Sequence, residues 1–353
     1  LTEIPENLFG ISCSGIKGVA FRSGTYSTIP STLFTNCTGL KHFDFMDNAV
    51  VTSFYSSTDN CSLLGQPVSF SGITHATSLG LSPYAPANRP VNNFKGVDYS
   101  LAGMSALTDL PSGWFMNHQY VTSAVGFCQG CSSLTSIPSN LFNNSVLEWA
   151  TCCFQNCTSL TTVPSGLLSD SSNLKGISAC FQGCTSLTTI QNGAFNYCSS
   201  LYLAEQCFKD CSNLVTVPTF LFRWDGRGTR SDVGKKSINF NHAFMNCSKI
   251  VAPADLFYNN LDGDFKCVFK NAATAEGSSI SASVFGDSKS TRFLLNCNLE
   301  AAFEGAGNDS AALPDLWNYT FVSGDANYLF SDKAGTYTNA KGTNVSEIPD
   351  EWK

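Results

Sequence analysis

Hydrophobic residues return along this chain in a unit of 27 residues. Phenylalanine fills one position of that unit at Phe154, Phe181 and Phe208, and a leucine stands seven residues before each of them. The full unit reads L-x-x-[AIL]-x-x-C-F-x-x-C-x-x-L-x-x-[IV]-P-x-x-L-F, and most of its polar positions hold Ser, Thr, Asn or Gly. Because a single turn of chain cannot bury its own apolar side, this period predicts a stack of similar turns.

The repeat is regular over residues 107–257 and becomes weaker on both sides. Recognisable copies begin at the first residue, so we predict a single repeat solenoid over 1–353. Two stretches within it, 41–106 and 258–353, are irregular or degenerate, and about nine extra residues form an insertion at 223–236. The stacking of such units predicts a solenoid of short parallel strands joined mostly by loops and turns.

Each unit contains a candidate strand just before its proline. Strand side chains alternate between the two faces, so if Val163 points inward its neighbour Thr162 points outward. The outward row predicted in this way comprises Ser136, Thr162, Thr189 and Thr216. Proline cannot donate a ladder hydrogen bond and should end a strand. The prolines expected to do so are Pro138, Pro164 and Pro218, while Gln191 takes their place in one copy.

A tight turn is predicted immediately before the second cysteine of each unit. Glycine, asparagine or aspartate occupies this position, and these residue types tolerate a left-handed backbone. The predicted turn residues are Gly130, Asn156, Gly183, Asp210 and Asn246. A turn at a fixed place in every unit would keep the successive units in one register.

The 16 cysteines admit three interpretations. They recur at fixed positions of the unit, which alanine fills late in the chain at Ala272 and Ala306, and this favours buried free thiols acting as small hydrophobic side chains. Neighbouring pairs could instead form disulfides, although parallel Cβ vectors give poor disulfide geometry. Zinc is a third possibility, because Cys128-x-x-Cys131 has ligand spacing, but other copies read C-x-x-x-C.

Composition indicates a folded and weakly charged protein. Hydrophobic residues make up 43% of the 353 residues, and charged residues only 13%, roughly half of the usual share. The net charge of -7 is thinly spread, so we expect no nucleic-acid partner. No apolar run reaches the length of a transmembrane helix, and we predict no such segment in this stretch of sequence.

Candidate catalytic groups are nearly absent. The four histidines are His42, His75, His118 and His242, and no two of them have metal-ligand spacing. The sequence contains no G-x-S-x-G elbow, no H-E-x-x-H motif and no P-loop. We therefore expect no enzyme activity, no catalytic residue, no metal and no cofactor.

The motif C-F-x-[GN]-C-[ST]-[SN]-L-[TV]-[ST]-[IV] with P-x-x-[LW]-F resembles the BspA-like leucine-rich repeats of bacterial surface proteins, notably of Bacteroides relatives. The resemblance is close over 107–257. It implies an α/β-type, right-handed leucine-rich repeat array with few short helices, located outside the cell. It also implies adhesion through protein or glycan contacts, with a host or bacterial surface molecule as partner. The family has no shared catalytic residues, and its usual period is somewhat shorter than 27.

A second functional class stays open beside adhesion: an accessory or structural module, such as a phage tail-tip part or a surface lipoprotein seated on a nutrient importer. The chain starts inside a repeat at Leu1, so a signal peptide would not be visible in this stretch. Phage tail genes next to the gene for this chain would favour the phage interpretation. A lipobox or sorting signal encoded upstream of this stretch would favour the surface interpretation.

The insertion 223–236 is one candidate binding site. It carries a net charge of +3 in an acidic chain, and it combines tryptophan with arginine, which is typical of binding hot spots. Its candidate residues are Arg223, Trp224, Arg227 and Arg230. A solvated loop that merely covers a coil edge is the alternative interpretation. The outward residues Thr162, Thr189 and Thr216 form the second candidate site.

Overall fold

The computed structural model describes residues 18–21, 24–26, 42–45, 49–51, 78–79, 101–110, 112, 122–139, 141–142, 146–169, 171–195, 198–222, 238–257, 263–286, 292–294, 297–322 and 335–353. The chain forms two compact units, Leu1–Leu160 (unit 1) and Thr161–Lys353 (unit 2). We use the word coil for one copy of the repeating sequence.

Secondary structure consists of very short elements. The strands are β1 (Gly18–Phe21), β2 (Gly24–Tyr26), β3 (His42–Phe45), β4 (Ala49–Val51), β5 (Ser78–Leu79), β6 (Thr162–Val163), β7 (Thr189–Ile190), β8 (Val251–Ala252), β9 (Ser279–Ile280), β10 (Arg292–Leu294) and β11 (Thr320–Val322). The described residues late in the chain also form three single-turn 3-10 helices, at Leu316–Asn318, Val345–Glu347 and Asp350–Trp352. Every strand pairing within the described ranges is parallel, as predicted, and none of these residues forms an α-helix.

Unit 1 contains two small parallel sheets, with strand orders β1-β3-β5 and β2-β4. Gly18 pairs with His42 and His42 with Ser78, so the step along the chain changes from 24 to 36 residues. Its later part returns to a step near the sequence period, since Ser123 bridges Trp149. The uneven step to β5 falls in the stretch that the sequence marks as irregular.

Unit 2 repeats one parallel pairing from coil to coil. Thr162 pairs with Thr189, and Thr189 with Thr216, at the predicted step of 27 residues. A second line of parallel bridges joins Gly176, Leu203, Asn239, Asp264 and Asn298. Backbone bonds between coils support both lines; for example, the Phe208 N–H donates to the Ala243 carbonyl at 2.9 Å. Unit 2 is therefore a repeat fold whose coils stack in register.

Aromatic rings form the core of unit 2 in two stacks. The first stack passes through Phe181, Phe208, Phe244, Phe269, Phe303 and Tyr337, with ring centroids 5.1–5.7 Å apart. The second passes through Phe195, Phe222, Phe257 and Phe285, with centroids 5.4–6.1 Å apart. Residues at equal positions of successive coils thus pack on one another, as the sequence period predicts. Each buried ring stabilises its coil by roughly 1.5–3 kcal/mol relative to an exposed one.

The predicted left-handed turns are confirmed. Gly130, Asn156, Gly183, Asp210 and Asn246 have φ values between 59° and 75°. A further left-handed position lies four residues earlier in each coil and was not predicted. Its residues are Gly126, Cys152, Ala179, Gln206, His242, Cys267, Ala301 and Gly335. These residue types share no preference for that conformation, so stacking imposes it on them.

Of the three prolines predicted to end a strand, only Pro164 directly follows one within the described ranges; no strand directly precedes Pro138 there, and only a single bridge, at Thr216, precedes Pro218. Pro164 follows β6 directly, and Pro253 follows β8 in the same way. Gln191, which replaces proline after β7, uses the N–H that proline lacks: it donates to the Val163 carbonyl at 2.9 Å. The position accepts either residue because the extra donor finds a partner in the neighbouring coil.

The 13 cysteines in the described ranges are free thiols, and twelve of them are buried. Several donate the S–H to a carbonyl oxygen of the preceding coil rather than merely filling space. These bonds run from Cys131 to Leu101, Cys157 to Cys128, Cys198 to Leu168, Cys211 to Phe181 and Cys247 to Phe208, at 3.1–3.2 Å. Burial raises the pKa of the Cys211 thiol well above its usual range, so the thiol stays protonated and can donate.

Candidate binding face

The first candidate site is the threonine row, which we define as Thr162, Thr189 and Thr216. Parallel pairing places these three residues side by side on successive coils of unit 2. The line continues through Val251 and Ser279. Val163 is fully buried while Thr162 is partly exposed, so the inward and outward assignment made from the sequence is correct for this strand.

Hydroxyl groups near the row differ in what they bind. Thr188 donates its hydroxyl to the Thr161 carbonyl at 3.1 Å and lies 3.4 Å from the Thr189 hydroxyl. By contrast, the hydroxyls of Thr162 and Thr216 have no partner among the residues described here, and Thr216 is exposed. The row therefore offers hydroxyl donors and acceptors that the fold does not use.

Apolar side chains flank this row. Val215 and Val251 are 38% and 39% exposed, which makes them two of the three large hydrophobic side chains exposed in the described ranges. A polar line lies beside them, where Lys249 Nζ donates to Asn213 Oδ1 at 2.7 Å and Asn213 Nδ2 donates to the Thr185 carbonyl at 2.8 Å. The row and its continuation through Val251 and Ser279 contain no charged residue, and Lys249 supplies a charge beside them.

The second candidate site lies outside the described residues. Arg223, Trp224, Arg227 and Arg230 all belong to 223–237, and the structure places only the residues on either side. Leu203 bridges Asn239 across the insertion at a step of 36 residues, nine more than the regular step. The coils before and after the insertion are therefore paired with each other as if it were absent.

A charged ladder on unit 2 was missed by the sequence analysis. We define it by two ion pairs between neighbouring coils, Lys266–Glu300 at 2.8 Å and Lys270–Glu304 at 2.7 Å. The members of each pair are 34 residues apart, and only an alignment of the degenerate late copies would have brought them together. Because these side chains are partly exposed, each pair stabilises the stack by at most about 1 kcal/mol.

His242 lies beside this ladder. Burial lowers the pKa of His242, the positive charge of Lys209 lowers it further, and Glu205 acts in the opposite sense. In the part of the chain that the structure describes, His242 Nδ1 and the adjacent Asn241 Oδ1 are buried without a hydrogen-bond partner. The imidazole is therefore neutral at physiological pH and sits among cations.

No cluster of three or more His, Cys, Asp or Glu within the described ranges has the geometry to hold a metal ion. In the same ranges no helix is long and apolar enough to cross a membrane.

Comparison with known proteins gives distant structural likeness only. Neither a protein-family model nor a curated protein matches the chain. A leucine-rich repeat protein from Bacteroides ovatus ATCC 8483 is 14% identical, covers 100% of this chain and 85% of its own, and has a TM-score of 0.27. The TLR13–ssRNA13 complex is 13% identical over 85% of this chain and 41% of that one, with a TM-score of 0.23. Neither likeness is strong enough to assign a family or a function.

Proposed function

We propose that this chain is a non-catalytic binding protein of the BspA-like leucine-rich repeat type, with right-handed coils. In this proposal it is displayed outside a bacterial cell and contacts a surface protein or a glycan through the threonine row. One observation carries the proposal: the hydroxyls of Thr162 and Thr216 have no partner in the described part of the fold, although most neighbouring polar groups are used between coils.

The chemistry of the row supports an uncharged partner surface. Each threonine of the row carries a hydroxyl and a methyl group, and exposed Val215 and Val251 add apolar area beside it. Stacking of the coils fixes the spacing of these groups at the strand separation of about 4.8 Å. The protein therefore loses little conformational entropy when it binds a ligand. Side chains presented by such a scaffold favour recognition of a repeating or extended partner.

The test compares binding by the wild-type chain and a triple variant, T162V/T189V/T216V. Valine keeps the shape and the strand preference of threonine and removes only the hydroxyl. The probe is an array of immobilised neutral and acidic glycans together with purified host surface proteins. We expect at least one neutral probe that the wild-type chain binds and the triple variant binds about tenfold more weakly, the loss of roughly 1.4 kcal/mol.

A matched control carries the same change at three exposed threonines of unit 2 outside the row, Thr185, Thr274 and Thr343. The control should bind like the wild-type chain. Equal binding by the row variant and the wild type, with both folded, would remove the threonine row from consideration. Binding only to acidic probes would favour a charged surface instead.

A further inference from the structure

The segment after β7 differs from its counterparts in other coils. It reads Q-N-G-A-F (191–195) where neighbouring coils begin with proline, and Asn192-Gly193 is the one Asn-Gly pair in the sequence. Asn192 is exposed, and its side chain has no hydrogen bond among the described residues. Gly193 adopts a left-handed conformation with φ of 81°.

Pairing of this segment with its neighbours is one-sided. Toward the preceding coil, the Gly166 N–H donates to the Gly193 carbonyl at 3.2 Å and the Leu168 N–H to the Ala194 carbonyl at 3.1 Å. Toward the following coil, the N–H groups of Gly193 and Phe195 find no acceptor in the described residues. At the equivalent place in a later coil, the Asp255 N–H does donate, to the Ser283 carbonyl at 2.8 Å.

We propose that Asn192 is a site of spontaneous deamidation in the folded protein. The Gly193 amide nitrogen, whose N–H has no acceptor among the described residues, loses its proton to base and attacks Cγ of Asn192. The new N–Cγ bond closes a five-membered succinimide, and the side-chain amide leaves as ammonia. Water then opens the ring at either carbonyl, and residue 192 becomes aspartate or isoaspartate. Glycine favours the attack because it has no Cβ to crowd the nitrogen.

The product alters two features of the coil. Either form of the acid adds one negative charge three residues after Thr189. Isoaspartate also lengthens the main chain between Gln191, whose side chain accepts from the Ser165 N–H at 2.9 Å, and Gly193, whose carbonyl accepts from Gly166. Both contacts hold the coil to its neighbour, so this form weakens the stack locally.

The experiment follows the reaction in the intact folded chain. The protein is kept in mildly alkaline buffer made with heavy-oxygen water, digested with trypsin, and sequenced by tandem mass spectrometry in the peptide between Lys175 and Lys209. That peptide also contains Asn196, so fragmentation must locate the label. We expect heavy oxygen to enter residue 192 at least about tenfold faster than Asn156, Asn213 or Asn246, which lie in well-paired coils.

A synthetic peptide of residues 186–198, treated in the same buffer, gives the rate without the fold. A folded-chain rate similar to the peptide rate supports the proposal, and a rate more than about tenfold slower overturns it, because the coil then protects Asn192. The N192Q variant should take up no label at residue 192. Circular dichroism before and after incubation checks that the chain stays folded, since deamidation of unfolded protein would not test the geometry.

Discussion

The thiol of Cys211 lies 3.1 Å from the carbonyl oxygen of Phe181 in the preceding coil, and Cys247 stands in the same relation to Phe208. The residue type and its recurrence predicted burial, because a position repeated at one phase belongs to the core. They did not predict the hydrogen bonds, since these depend on where a carbonyl in the previous coil points. Cysteine here combines small volume with a weak donor.

Substitution of Cys211 should separate volume from hydrogen bonding. C211A removes both the sulfur and the donor, and we expect a loss of about 1–3 kcal/mol in the free energy of unfolding. C211S keeps a donor that can still reach the Phe181 carbonyl, so its cost should be smaller than that of alanine. Urea denaturation of the three proteins measures the difference. A serine variant less stable than the alanine variant would show that the thiol acts by packing alone.

The pKa of His242 predicts the direction of a pH effect. A folded-state pKa below the ordinary 6.5 means that the unfolded chain binds the proton more readily. The contribution of neutral His242 to stability is therefore complete above the ordinary pKa of 6.5. It is lost as the pH falls below 6.5 and through the lowered folded-state pKa. Protonation would place a new cation near Lys209, Lys266 and Lys270, and Glu205 acts in the opposite sense.

The measurement is the unfolding temperature of the wild type and of H242Q across mildly acidic to neutral pH. Glutamine cannot gain a charge, so the unfolding temperature of H242Q should change less with pH over this range than that of the wild type. Parallel curves for the two proteins would assign the acid sensitivity to other groups.

At the scale of the elements, the turn before the second cysteine sets the register between coils. Asn246 Nδ2 donates to Asp210 Oδ1 at 2.6 Å, and Asn271 Nδ2 donates to Asn246 Oδ1 at 3.2 Å, so the turn residues also bind one another from coil to coil. In the next coil the position is Gly305, and a Cβ there would collide with Oδ1 of Asn271. Any larger residue at this place would have to displace the Asn271 side chain as well as strain the left-handed backbone.

Two glycine substitutions in unit 2 test this distinction. Gly277 also has a left-handed backbone, with φ of 77°, but a Cβ there would meet open space. G277A should therefore cost only the backbone strain of about 1–2 kcal/mol. G305A adds a collision with Asn271 and should be clearly more destabilising in thermal or urea denaturation. Equal losses in the two variants would mean that Asn271 moves aside without cost.

The first left-handed position of each coil shows what local sequence cannot supply. Its residues include Ala179, Gln206 and Cys267, none of which prefers this conformation. The second position was predictable because glycine, asparagine and aspartate mark it. Hydrogen bonds to the coils before and after offset the cost of a left-handed backbone at such a residue. The residue type therefore need not favour the conformation, and the sequence carries no sign of it.

At the scale of the whole molecule, each position of the repeat occurs in several copies of the sequence, and the copies can be compared. This comparison is why the sequence predicted the period, the inward-facing strand residues and the stacking of equivalent side chains. The charged ladder did not follow, because it lies where the copies are degenerate and depends on pairs 34 residues apart. Handedness and the partner stay predictions, since neither periodicity nor residue type determines them. The threonine row was found from strand alternation, but the free hydroxyls within it required the contacts.

The coils on either side of the insertion pair as though nothing separated them, since Leu203 bridges Asn239 and Thr216 bridges Val251. Phe222, the last described residue before the insertion, stacks on Phe195 and on Phe257 of the adjacent coils, with ring centroids 6.1 Å apart in each case. This corner of unit 2 is therefore a permissive junction. We predict that peptides of different length placed there leave the pairing of the flanking coils unchanged, which would make this fold a platform for displaying foreign sequences.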